Sequence, residues 1–211
     1  MENNLAGSPK VKRKLTPKGM RSRDNLKKTA RDALNTLGYT KLRVQDITQA
    51  AEVADGLFYR YFSDLREIML ELAEDLFRDL LEDTVQIRRD VAPYQWLYDI
   101  HRVALVRFSN NPGILACLFG LAGDSNDFST IWQVNARKWN LQVAAFIESE
   151  TDYSTEEARR MAYVLGAMTE GVIYQYLVRR SDDLVTIGGE DEVAGAIAEM
   201  WYRTIFLKPS P

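Results

Sequence analysis

Arg60 stands between two phenols, Tyr59 and Tyr61, within Gly56-Leu57-Phe58-Tyr59-Arg60-Tyr61-Phe62. A guanidinium flanked by hydroxyls is chemistry for phosphate oxygens, and the guanidinium also suits base edges. Upstream, Lys10, Lys12, Arg13 and Lys14 form a short basic run. Through residue 62 the chain carries 13 Lys and Arg against 6 Asp and Glu, a net +7. The remaining residues carry 14 against 24, a net −10, so the whole chain is at −3. A basic N-terminal portion on an acidic body predicts a polyanion as that portion's partner.

The elements that must position these groups read as helices throughout. A first helix over about 18–37 repeats Leu26, Ala30, Ala33, Leu34 and Leu37 at helical spacing and stops at Gly38. Short helices follow over about 44–51 and 55–62, joined only by Glu52-Val53-Ala54. Two short helices so joined cross steeply, as in a helix-turn-helix. Val44, Ile47, Ala51, Val53 and Phe58 supply a small core, which leaves Asp55, Gly56, Leu57, Tyr59 and Arg60 toward a major groove. Arg43 and the basic run Lys10, Lys12, Arg13 and Lys14 complete the expected DNA-facing set. The fold class expected is all-α, about nine helices, with a flexible arm over 1–17, a DNA-binding domain over 18–63 and a ligand-binding and dimerisation domain over 64–211.

Gly38-Tyr39, Val44-x-x-Ile47, Ala51-x-Val53, Gly56-x-Phe58-Tyr59-x-Tyr61-Phe62 and Glu67-Ile68 together resemble the signature of the TetR family of bacterial regulators. The resemblance covers roughly 23–70. It implies an all-helical homodimer that binds a palindromic operator and releases it when a small molecule enters the C-terminal domain. The chain departs from the pattern where the family commonly has Thr (Leu42 or Arg43), Gly (Glu52), Ser or Thr (Ala54), Thr (Leu57) and Lys (Leu65). Arg43, Tyr59, Arg60 and the arm must then supply more of the phosphate contacts, and Leu57 suits a thymine methyl.

Beyond residue 63 the periodicity predicts a long helix over about 64–83, then helices over 96–108, 114–121, 129–150, one opening at Ser154-Thr155-Glu156-Glu157, and a last one over 191–206. The stretch 181–190 reads as a loop. Trp132, Ala136, Trp139, Val143 and Phe146 make one stripe; Trp96, Ile100, Ala104 and Phe108 another; Leu118 and Phe119 lie on the short helix between. Bundles build ligand sites between such helices, apolar with a few polar groups. His101, Asn135, Tyr163 and Glu170 are the expected polar members of the pocket. The last two long helices carry Leu165, Met168, Val172, Tyr176, Ile197, Met200 and Trp201, expected to meet a second copy. Each of these apolar residues has a plainer reading as core.

One cysteine and one histidine cannot build a Cys/His zinc site within a chain. No nucleophile constellation, phosphate-binding glycine loop or dinucleotide fingerprint is present. The expectation is therefore no enzyme, no cofactor, no metal and no membrane partner, with a cytoplasmic location and double-stranded DNA, a hydrophobic or aromatic effector and a second copy as partners. Two other readings stay open at this point: a helical carrier or enzyme whose N-terminal helices are scaffold, and a DNA-binding protein without an effector.

Overall fold

A computed structural model describes residues 15–85, 90–120, 126–186 and 188–207. The arm residues Lys10, Lys12, Arg13 and Lys14 lie outside this range. Ten α-helices follow one another: α1 Pro17–Leu37, α2 Val44–Ala50, α3 Asp55–Tyr61, α4 Leu65–Val85, α5 Pro93–Ser109, α6 Pro112–Leu118, α7 Asn126–Glu150, α8 Thr155–Ile173, α9 Asp182–Val185 and α10 Glu190–Phe206. No strand occurs among the described residues.

The helix ends follow local chemistry. Thr16 accepts from the Gly19 N–H at the start of α1, and Pro17 takes the first position, where a missing N–H costs nothing. Ser154 and Glu157 cap α8 reciprocally. Gly38, at φ +74, ends α1 in a conformation that other residues rarely adopt.

Two features were not legible beforehand. α9 forms where a loop is expected: Leu184 and Val185 donate to the Ser181 carbonyl, with Asp182 and Asp183 in the first turn. Acids there suit the positive end of a helix, but four residues are too few to show a period. Beyond Ile173, residues Tyr174–Val178 continue α8 as a π-helical turn, wider than the α-helix before it.

The C-terminal body is layered. α10 lies along α5, α8 lies along α7, and α4 crosses between α1 and both α5 and α7. Gly166 of α8 packs so close to α7 that a Cβ there would come within 2.2 Å of the Asn140 side chain. Its smallness therefore serves packing within one copy. α6 seats on α1 by the same means: a Cβ on Gly113 would fall 2.7 Å from Leu34.

Candidate nucleic-acid interface and ligand region

The first three helices close around Leu26, Ala30, Leu34, Ile47 and Phe58, all at 1% exposure or less. Between α2 and α3 the Val53 N–H donates to the Thr48 carbonyl at 3.0 Å. The turn forces Glu52 to φ +55, a left-handed conformation that costs a side-chain-bearing residue roughly 1 kcal/mol. The glycine expected at this position by resemblance therefore has a physical reason. Buried Thr48 donates its hydroxyl to Asp55, tying the two helices together.

This framework leaves Tyr59 57% exposed, with Arg60 and Gly56 also exposed and Leu57 half-buried. Arg43 is exposed at the start of α2, its backbone N–H held by Asp46 at 2.7 Å. Asp55 is exposed as well, and its carboxylate accepts from the Thr48 hydroxyl. Near the start of α1, Lys18 and Arg21 are exposed, and Gly19 lies against the Tyr61 hydroxyl. The opening turn of α1 thus abuts the end of α3, a juxtaposition that the linear spacing did not reveal.

A charged joint binds α1 to α4. Arg23 and Lys27 of α1 meet Glu71 and Asp75 of α4, and Arg78 reaches back to Asp75 at 2.7 Å. The groove along this seam measures about 670 Å³. Burial raises the Asp75 pKa, but hydrogen bonding and charge from Lys27, then Arg78, outweigh it and hold the carboxyl below its usual range. Arg23 also lies over the Phe62 ring, 4.8 Å from its centroid.

The interior of the body is aromatic. Trp132 of α7 meets Phe119 at the end of α6 at 4.5 Å between centroids, Phe77 of α4 at 5.8 Å and Phe108 of α5 at 5.9 Å. Tyr174, on the wide turn, meets Phe119 from another side at 5.2 Å. The Trp132 indole N–H is buried with no hydrogen-bond partner among the described residues. Four of the expected pocket residues thus belong to or adjoin one cluster: Phe108, Leu118, Phe119 and Trp132. Phe77 and Tyr174, which complete it, were not singled out; their helical spacing carried no mark to separate them from ordinary core.

The other pocket candidates are placed differently. Trp96 stacks on Phe146 at 4.4 Å. Ile100 is buried, and Ala104, Ala136, Trp139 and Glu170 are half-buried. Asn135 spends its amide on the Ile131 carbonyl of its own helix. Tyr163 is 43% exposed, beside Val164 at 70%, so it faces outward. His101 is buried, edge-on to Trp201 at 4.9 Å, with Nδ1 2.6 Å from the Leu97 carbonyl and Nε2 unpartnered. Burial lowers its pKa from 6.5 to about 4, the Leu97 contact opposing, so it is neutral at pH 7. Burial pushes the Cys117 thiol up to about 12, which makes it inert.

Of the expected dimer residues, Leu165, Ile197 and Trp201 are buried within the protomer, so a second copy cannot reach them. Trp201 donates to Thr169 at 3.0 Å. Met168, Val172 and Tyr176 are half-buried, and Met200 is 51% exposed.

The sequence matches the model of bacterial regulatory proteins, tetR family, over residues 27–72, which run from α1 through the helix-turn-helix into α4. Over those residues the chain is similar to the bacterial regulatory proteins of the tetR family. The chain is 22% identical over 205 residues to the HTH-type transcriptional regulator EthR of Mycolicibacterium smegmatis, covering 94% of this chain and 93% of that one. Its fold matches a tetR-family transcriptional regulator from Streptomyces coelicolor, TM-score 0.71 at 14% identity, over 86% of this chain and 79% of that one. It also matches the transcriptional regulator FadR from Bacillus subtilis in complex with stearoyl-CoA, TM-score 0.60 at 15% identity, over 85% and 97% of the two chains. These likenesses point to a DNA-binding transcriptional regulator, and no helix of the described residues is long and apolar enough to cross a membrane.

Proposed function

We propose that this regulator is a homodimeric repressor, with residues 18–63 reading an inverted-repeat operator and residues 64–211 binding a hydrophobic or aromatic small molecule that releases it. The observation that carries ligand control is the Trp132 cluster. It touches α4 through Phe77 and α6 through Phe119. Both helices press on α1: α4 through the charged joint, α6 through the Gly113–Leu34 contact and the Asn35 hydrogen bond to the Gly113 N–H at 3.0 Å. A molecule entering among these rings must shift one helix or the other, and either shift moves α1. The FadR fold neighbour with stearoyl-CoA supports an apolar effector for a body of this shape.

In this reading Tyr59, Arg60 and Leu57 face the major groove, while Arg43, Lys18, Arg21 and the arm residues 10–14 neutralise phosphates. A dimer would be covered along Tyr163, Val164, Ala167 and Gly171 of α8, Ala196 and Met200 of α10, and Leu207 just beyond it, all exposed in the single chain. Half-sites about 34 Å apart then place both reading helices in successive major grooves.

Selection from random duplexes followed by fluorescence anisotropy tests this. An inverted repeat is expected, with affinity falling steeply with salt as phosphate contacts release counterions. Arg60→Ala should weaken binding without loss of helicity, and Val164→Glu with Met200→Glu should yield a monomer that no longer holds the operator. Full operator affinity in the Arg60→Ala protein would mean that α3 is not the reader.

A further inference from the structure

Trp132 carries a buried donor in an otherwise apolar nest of Phe77, Phe108, Phe119 and Tyr174. Such a group is uncommon, because a buried N–H without an acceptor is costly. The ring closest to it, at 4.5 Å between centroids, is that of Phe119. Phe119 is half-buried and caps α6, a helix of only seven residues. Gly120 follows at φ +78, free to turn the chain there. On its other side Phe119 meets Tyr174, on the π turn, so both flanks of that ring are aromatic.

We infer that the Phe119 side chain is a resident stand-in for the effector, which is a planar aromatic molecule carrying a hydrogen-bond acceptor. The effector's ring displaces Phe119 from between Trp132 and Tyr174, and its acceptor oxygen or nitrogen receives the Trp132 N–H. This rests on the ligand-site reading above. It adds the chemical class: an aryl ketone, ester, amide or carboxylate rather than a hydrocarbon. It also adds the moving part, since Phe119 leaves with the end of α6 and α6 is seated on α1.

Acetophenone and ethylbenzene, nearly equal in shape, are the probes. They are titrated into the full chain and its Phe119→Ala variant, with calorimetry and the ¹⁵N-bound indole protons of the four tryptophans as readouts. Phe119→Ala should bind acetophenone at least about tenfold tighter than the parent, because no ring need be expelled first. It should also prefer acetophenone to ethylbenzene by about tenfold or more, against their order of hydrophobicity, since a satisfied buried donor has that weight. One indole signal, lost in Trp132→Phe, should move downfield, and Trp132→Phe in the Phe119→Ala background should erase the preference.

Preference for ethylbenzene would mark a plain apolar hole. That overturns the acceptor assignment and leaves the ligand-site reading standing. Equal acetophenone affinity in parent and Phe119→Ala overturns the displacement. No binding of either probe to either protein overturns the site itself. If Phe119→Ala does not fold, Phe119→Leu takes its place, and an unmoved Trp132 signal in the acetophenone-saturated parent overturns the assignment.

Discussion

The joint between α1 and α4 and the interior around Trp132 are opposite solutions to holding helices together. In the joint every charge of Arg23, Lys27, Glu71, Asp75 and Arg78 has a partner. In the interior the contacts are rings, and Trp132 Nε1 and His101 Nε2 have no partner among the described residues. A paired network resists rearrangement because each broken contact strands a half-buried charge. A ring cluster strands no charge when it shifts, and an unpaired donor gains when something arrives. Under the proposed ligand control, the contrast gives a stiff lever and a yielding sensor.

The largest effect that would break this contrast lies in the interior. Phe108 is 3% exposed and touches both Phe77 and Trp132. Phe108→Ala should cost about 3–5 kcal/mol in urea unfolding, the usual toll for emptying an aromatic site. A cost under about 1 kcal/mol would show that the cluster collapses freely and carries little of the fold.

His101 sharpens the contrast through pH. Its pKa is 6.5 when unperturbed and about 4 in the folded chain. Between these values the unfolded state binds the proton and the folded state does not. Stability from this group is therefore complete above about 6.5 and is lost as pH falls toward 4. The span corresponds to about 3 kcal/mol. Unfolding at pH 7 and pH 4.5 should show this loss in the parent and a smaller one in His101→Leu. Asp75 has the opposite charge type and a lower window: its lowered pKa places its loss below 3.8. Parallel pH profiles for parent and His101→Leu would mean the imidazole titrates freely.

At the joint, Asp75→Asn removes the charge that holds Lys27 and Arg78 together. With both the Lys27 and Asp75 side chains under 15% exposed, the expected cost is about 2 kcal/mol, below that of a fully buried pair. Operator affinity should fall as well, since α1 loses its orientation on α4. An unchanged denaturation midpoint would make the joint a surface ornament.

These expectations rest on features of unequal visibility in the sequence. The helix start at Ser154 and the stop at Gly38 were legible because capping is local chemistry, whereas Pro17, read as the end of the arm, opens α1. The reading segment was legible because its motif is contiguous. The sides of α8 and α10 were not. Leu165 and Val164 are adjacent and both apolar, as are Trp201 and Met200, yet the first of each pair is buried and the second exposed. Periodicity reports an apolar face but not which neighbour takes it, and here α7 and α5 take the faces assigned to a second copy. The joint was hidden too, because Lys27 and Asp75 lie 48 positions apart in a chain rich in both charges.

The smallest effect tests the contrast at a single atom. Trp132 and Trp201 are both buried at the indole nitrogen, but only Trp201 has an acceptor, the Thr169 hydroxyl at 3.0 Å. Thr169→Val is nearly isosteric and removes that acceptor. It also removes the Thr169 hydroxyl's bond to the Leu165 carbonyl, which is one the helix backbone already serves. The substitution therefore creates at Trp201 the state Trp132 has in the parent. It should cost about 1 kcal/mol, the weight of a buried donor left unpaired. In a ¹⁵N spectrum the Trp201 indole proton should move upfield toward the position of the Trp132 signal. If neither stability nor that signal changes, a paired and an unpaired indole are equivalent in this interior. The Trp132 nitrogen would then have no reason to favour an acceptor, and the distinction between a satisfied lever and an unsatisfied sensor would fail at the sensor.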